Sequence, residues 1–397
     1  MNQREIALEI LVKSISDNSY TNLFMRKKLN ELEPIQRPFV TNLVYGVLKK
    51  YDYLIYQIKN EFNSKTSLRN KLILAMALYE KFFLKEKDYV VNNEYVNLAN
   101  NKYDKSFINA VLRKDIELRS SDKEYINCSL PEWLYNLLSK QYDLEKFNAI
   151  INNYNRIPEI YYRKNNLKFI ENEINDIEFI NNEIFISNRN LVNSSYMKEG
   201  KFYIQDFNSS NLFKHLDLNK NDKLLDVCSA PGSKLFNCLD VLEPSNCYAN
   251  DIHEHRVKLI KNKAELLGFN NINYLNLDGR EIKNNIDIKF NKIMLDVPCS
   301  GLGTIGRKPD LKYHIKPESL DELQSIQAEL LESVKDLLLE GGIILYSTCT
   351  LNKKENRKQI DNFIINNPNF TVVEDETIIN DMGDCFYYAK LLKGYNN

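Results

Sequence analysis

From residue 223 onward, short apolar runs alternate with helical stretches, and this alternation restricts the fold more than any other feature of the chain. Residues 224–227, 247–250, 272–276, 292–295 and 342–347 read as buried strands, with helical segments such as 255–267 and 319–339 between them. Apolar strands joined by helical crossovers pack as a doubly wound, mostly parallel sheet with helices on both faces. Glu340-Gly341-Gly342 reads as the glycine cap that ends the last long helix. Residues 370–374 and 385–390 read as two closing strands.

In such sheets ligands sit beyond the carboxyl ends of the strands. After the first strand comes Asp226-Val227-Cys228-Ser229-Ala230-Pro231-Gly232-Ser233-Lys234, a turn of small residues entering a helix, where backbone N–H groups can approach a ligand closely. It is not the G-x-G-x-x-G of a dinucleotide fold. The second strand ends in Asp251, 25 residues after Asp226, a spacing suited to an acidic residue that accepts from ribose hydroxyls. Asp278-Gly279-Arg280 follows the third strand, and the fourth ends in Leu295-Asp296-Val297-Pro298-Cys299-Ser300. One such Asp is commonly a helix cap. Four strand ends in register point to an adenosine-containing ligand held by the turn from Cys228 to Lys234 together with Asp251, Asp278 and Asp296.

Ahead of this half, residues 1–125 read as an all-α bundle, because apolar positions recur at helical spacing with little Gly or Pro to interrupt them. Phe39, Val40, Leu43, Val44, Val47 and Leu48 form one stripe, and Leu72, Ile73, Leu74, Met76, Ala77 and Leu78 another. A break falls at Ser120-Ser121-Asp122, and a new helical stretch opens at Leu130-Pro131-Glu132-Trp133. Four short β-rich runs near residues 160–163, 177–180, 183–186 and 202–204 mark a small α+β insert, either an RNA-facing module or a spacer. The expected domains are 1–125, 126–205 and 206–397.

Residues 1–130 carry 21 Lys and Arg against 16 Asp and Glu, and the rest 32 against 38, a difference that suits phosphate contacts at one end but is also ordinary for a surface. Seven cysteines without a C-x-x-C pair argue against a disulfide framework or a cysteine zinc site, so a reducing, cytoplasmic setting without metal is expected. The longest apolar run, 72–79, is too short to span a bilayer, and the first residues lack the apolar core of an export signal.

Two cysteines stand at adjacent strand ends: Cys299, and Cys349 in Ser347-Thr348-Cys349-Thr350. With the turn from Cys228 to Lys234, Asp251, Asp278-Gly279-Arg280, Arg307-Lys308-Pro309-Asp310 and Glu355-Asn356, they give a chain that resembles the bacterial 16S ribosomal RNA cytosine-5 methyltransferases of the RsmB (Sun or Fmu) type. Gln36-Arg37-Pro38-Phe39 and Leu43-Val44-Tyr45-Gly46-Val47-Leu48 resemble the NusB-like RNA-binding domain fused to that subfamily. Tyr203-Ile204-Gln205-Asp206 and Phe386-Tyr387-Tyr388-Ala389-Lys390 resemble the entry and the closing strand of its catalytic domain, so the likeness spans the chain.

The resemblance implies a Rossmann-like catalytic domain that uses S-adenosylmethionine. It implies Cys349 as the nucleophile that attacks C6 of a cytosine, Cys299 as the thiol that assists loss of the C5 proton and release, Asp296 on the cytosine edge, and Lys234 positioning it. It implies 16S ribosomal RNA as partner, the position-967 class of cytosine as target, and a monomer. The same chemistry on another ribosomal or transfer RNA, a non-catalytic RNA-binding or antitermination factor, and an unrelated nucleotide-dependent enzyme are the rival expectations. Ser233 and Cys385 replace glycines usual in the family, and a positive φ at Ser233 would weaken cofactor binding. Cys238, Cys247 and Cys385 are expected in the core, and Cys228 packs without a chemical role.

Overall fold

The computed structural model describes residues 2–16, 21–170 and 173–395. The chain divides into two compact units, Met1–Phe147 with Ile305–Lys316, and Asn148–Thr304 with Pro317–Asn397. The first boundary thus lies beyond the break read at Ser120, because the helix Glu132–Gln141 belongs with the bundle.

In the helical unit the two predicted stripes form the core of the helices Arg37–Gln57 and Leu68–Phe82. Gly46 lets the two helices meet: a Cβ there would lie 2.0 Å from the Tyr79 ring. Segment Ile305–Lys316 belongs to this unit although it lies deep in the second half of the sequence. Tyr313 Oη donates to the Leu48 carbonyl at 3.3 Å and Lys312 Nζ to that of Lys49 at 3.2 Å, while Ser129 Oγ accepts from the N–H of Asp52 and Tyr53 at 3.1 and 3.4 Å. Three side chains therefore attach along one stretch of this helix, from Leu48 to Tyr53.

The second unit carries two sheets. The smaller contains β1 (Tyr162–Lys164), β2 (Ile177–Phe179), β3 (Ile184–Ser187) and β4 (Phe202–Ile204) in the order β2-β3-β1-β4, all antiparallel, around the packed rings of Tyr162, Phe185 and Phe202. The larger contains β5 (Leu224–Asp226), β6 (Cys247–Asn250), β7 (Asn273–Leu275), β8 (Phe290–Asp296), β9 (Leu338–Thr348), β10 (Phe370–Ile378) and β11 (Phe386–Lys393). Its order is β10-β11-β9-β8-β5-β6-β7, parallel from β9 to β7 with β11 antiparallel to both of its neighbours. Strand order reverses between β5 and β8, which opens a crevice at their carboxyl ends.

One expectation fails. Gly341 and Gly342 do not cap a helix: the helix Ser319–Val334 ends earlier, and the glycines lie inside β9. Register shifts between Phe290 and Lys292, which face Leu338 and Ile343, so the extra residues of β9 loop out as a bulge with Gly341 at φ 72°. A glycine takes that left-handed conformation without strain, and an isolated glycine read from sequence does not distinguish a bulge from a cap.

Candidate active site

The turn after β5 reverses sharply into the helix Ser233–Cys238. Gly232, at φ 94°, makes the reversal, and a Cβ there would lie 2.5 Å from the Phe236 ring. The positive φ therefore falls on Gly232 and not on Ser233, which begins the helix without such strain. Substitution of the usual glycine at 233 leaves the turn intact.

Asn250, fully buried at the end of β6, donates to the carbonyls of Val227 and Leu277 at 2.9 and 3.0 Å and accepts from Leu277 N–H at 3.0 Å. One side chain thus sets the spacing of the loops that follow β5 and β7. Asp251 follows it, its Oδ1 accepting from His253 N–H at 3.0 Å. Asp278 is gripped by the Arg280 guanidinium, whose hydrogen bonds are the main cause of a carboxyl pKa below the ordinary value.

These groups fit S-adenosylmethionine. Asp226 Oδ1 and Ser229 Oγ are buried beside one another and meet no other polar partner among the described residues, an arrangement that a polar ligand would complete. Burial lifts the Asp226 carboxyl to about 7; the nearby Ser229 hydroxyl opposes the rise, and the charges of Asp296 and Asp251 add to it. Such a group gains most from a cationic partner, which the ammonium of a bound amino-acid moiety would supply. The sequence alone assigns Asp226 no role, because the burial of its oxygen arises only in the fold.

At the crevice, the ends of β8 and β9 bring the chemistry together. Cys299 Sγ lies 3.4 Å from Cys349 Sγ, and both side chains are partly exposed. Lys234 pairs with Asp296 Oδ2, and Ser347 Oγ donates to Asp296 Oδ1 at 2.8 Å. Burial alone would lower the Lys234 pKa, but the charge and hydrogen bond of Asp296 raise it above the ordinary lysine value.

The two thiols are not equivalent. The hydrogen bond from Cys299 holds Cys349 below the ordinary thiol pKa against the effects of burial and of Asp296, and Lys234 adds to the lowering. That same hydrogen bond, burial, and the charges of Cys349 and Glu355 push Cys299 well up. Of the two, Cys349 is therefore the more readily ionised, with the Lys234 cation acting on it and the Glu355 carboxylate acting on Cys299. A thiolate is the form in which cysteine attacks.

Backbone contacts fix the Cys349 loop. Gly303 N–H donates to the Cys349 carbonyl and Cys385 N–H to the Gly303 carbonyl, both at 2.9 Å. Cys238, Cys247 and Cys385 are fully buried, and Cys228 packs against the core on the β5 side. The structure thus brings Lys234, Asp296, Cys299 and Cys349 together, places Asp251 and Asp278 after β6 and β7, and packs Cys228 against the core. Asp226, Asn250, Ser347 and Glu355 are the residues whose parts in the site were not foreseen. Among the described residues no group of three or more His, Cys, Asp or Glu could hold a metal ion, and no helix is long and apolar enough to cross a membrane.

Comparison with known proteins bears on this geometry. The family described as 16S rRNA methyltransferase RsmB/F matches residues 213–392, and the NusB family matches residues 1–116. The probable ribosomal RNA small subunit methyltransferase B of Bacillus subtilis (strain 168) is 31% identical, over 92% of this chain and 89% of its own length. The ribosomal RNA small subunit methyltransferase B of Yersinia pseudotuberculosis serotype O:1b is 25% identical over 99% of both chains. The solved structure of PH0851 superposes over 99% of both chains with a TM-score of 0.79 at 22% identity. That of NSun6 from Pyrococcus horikoshii with SFG covers 67% of this chain and 99% of its own, with a TM-score of 0.59 at 17% identity.

Proposed function

The chain belongs to the RsmB/F family of 16S rRNA methyltransferases, and from that premise we propose that it methylates C5 of one cytosine in small-subunit RNA through a covalent bond from Cys349. The observation that carries this reading is the pair of sulfurs 3.4 Å apart beside the Lys234–Asp296 ion pair.

C5 of cytosine is a poor nucleophile. Addition of the Cys349 thiolate at C6 raises electron density at C5, which can then accept a methyl group. When bound, S-adenosylmethionine supplies that methyl group from its sulfonium. Asp226, Ser229 and the N–H groups of the turn through Gly232 would hold its amino-acid end, Asp251 its ribose and Asp278 its adenine. Asp296, oriented by Ser347 and Lys234, accepts from the exocyclic amine of the target base. Once Cys349 is bonded to C6 and no longer accepts from Cys299, Cys299 can lose its proton to water and take the C5 proton, whose bonding pair re-forms C5=C6 and expels Cys349 as the thiolate. The base must leave its stack to reach this crevice, and the NusB-like unit would supply further contacts to the RNA around it.

Membership of this family supports a cytosine of small-subunit RNA as the target, and the resemblance of the motifs implies the position-967 class. Bisulfite sequencing of ribosomal and transfer RNA from cells with and without the gene tests it. The expected result is loss of one 5-methylcytosine from small-subunit RNA in the absence of the gene. Loss from transfer RNA alone, or no loss, would overturn the assignment.

A further inference from the structure

We propose that Glu355 is a positioning residue that holds the Cys299 loop at its working distance from Cys349, an inference that rests on the two-thiol reading above. Glu355 is fully buried, and among the described residues no Lys or Arg pairs with it. Its carboxylate is surrounded by donors instead. Oε2 accepts from Ser300 N–H at 2.8 Å and Gln327 Nε2 at 3.1 Å, and Oε1 from Ser300 Oγ at 2.6 Å and Asn352 Nδ2 at 3.1 Å. Four donors and no acceptor other than the neighbouring hydroxyl suit a carboxylate, whose two oxygens accept only. An amide in the same place would turn an NH2 group toward two of those donors.

The partners show what the network does. Ser300 follows Cys299 directly, and its two donors both end on Glu355. Gln327 spans from Glu355 to the carbonyl of Pro298, the residue before Cys299, at 3.0 Å. Cys299 is therefore flanked on both sides by groups that Glu355 fixes, directly or through one side chain. The Tyr346 hydroxyl donates to the Glu355 carbonyl at 2.6 Å, which anchors the network to β9, the strand that leads to Cys349. Cys349 has its own restraint in the N–H of Gly303. Loss of the Glu355 charge should accordingly displace Cys299 more than Cys349. A buried network in which every member is satisfied is stiff, and one lost partner exposes the others to the cost of burial without a hydrogen bond.

The expected consequence of Glu355→Gln is a fall in kcat of about 10- to 100-fold with an unchanged KM for RNA, the signature of a contact that acts in the chemical steps. The experiment compares the full-length wild type, Glu355→Gln, Cys299→Ala and the double variant by steady-state methylation of small-subunit RNA and by capture of the covalent RNA adduct on denaturing gels. If Glu355 acts through Cys299, the double variant accumulates the adduct as fully as Cys299→Ala alone. A kcat for Glu355→Gln within about threefold of wild type would overturn the proposal, as would an equal loss of adduct in the Cys299→Ala background. No adduct in Cys299→Ala itself would instead reject the two-thiol mechanism, and the proposal with it. Ser300→Ala, which removes one of the four donors and leaves the carboxylate buried, reads the same contact if the glutamine variant does not fold; its expected loss in kcat is about 10-fold, and a wild-type rate would count against the proposal.

Discussion

Ser347 Oγ donates a 2.8 Å hydrogen bond to Asp296 Oδ1, joining the last residue of β8 to the residue paired with it on β9. Asp296 is thereby held from two directions, by a hydroxyl on the sheet and by the Lys234 ammonium from the cofactor turn. On the proposed mechanism this carboxylate meets the edge of the target base, and it gains its orientation from such fixed partners. Ser347→Ala removes one of them and leaves the backbone register unchanged. Steady-state kinetics should show kcat lowered roughly 10-fold, in keeping with the loss of a hydrogen bond to a charged group, with little change in cofactor affinity. A wild-type kcat would mean that Lys234 alone orients Asp296.

Asp226 gives a prediction in pH. Its carboxyl titrates at about 7 when folded against an ordinary 3.8, burial being the main cause. Below the ordinary value the carboxyl is protonated in both states and its contribution to stability is fully present. As pH rises to about 7 the unfolded chain ionises first, and that contribution is lost by up to about 1.4 kcal/mol per pH unit. Asp226→Asn cannot ionise. Urea unfolding of the ligand-free protein should therefore show the stability of wild type relative to the asparagine variant falling between pH 5 and pH 7 and levelling off above. A constant difference across that range would contradict the burial of an unpaired carboxyl.

Gly303 tests the backbone contacts that place Cys349. A Cβ on this residue would lie 2.0 Å from the Cys385 carbonyl oxygen and 2.8 Å from that of Cys349. Both are backbone atoms, so relief requires movement of the strand ends. Gly303→Ala should lower stability by roughly 1–3 kcal/mol and reduce methylation in the fraction that remains folded. Wild-type activity with a wild-type melting temperature would show that the loop adjusts without moving Cys349.

Much of this architecture is legible in the sequence because it depends on local pattern. The apolar runs ending in Asp226, Asp251 and Asp296 announce the strands and place their ends, and Cys299 and Cys349 announce the chemistry once those ends are known to be adjacent. What could not be read depends on partners distant in sequence. Gly341 is a bulge because Phe290 and Lys292 set the register of the neighbouring strand. Glu355 would pass for a surface residue, yet three of its four donors come from positions 55 and 28 residues away. Segment Ile305–Lys316 belongs to the helical unit through contacts of Lys312 and Tyr313 with residues some 260 positions earlier.

The central claim is that the two thiols divide the reaction, Cys349 attacking and Cys299 releasing. Incubation of each alanine variant with S-adenosylmethionine and small-subunit RNA, followed by denaturing electrophoresis, tests it directly. Cys299→Ala should retain RNA in a covalent band, and Cys349→Ala should form no such band and no 5-methylcytosine. Equal trapping by both variants, or by neither, would contradict the assignment.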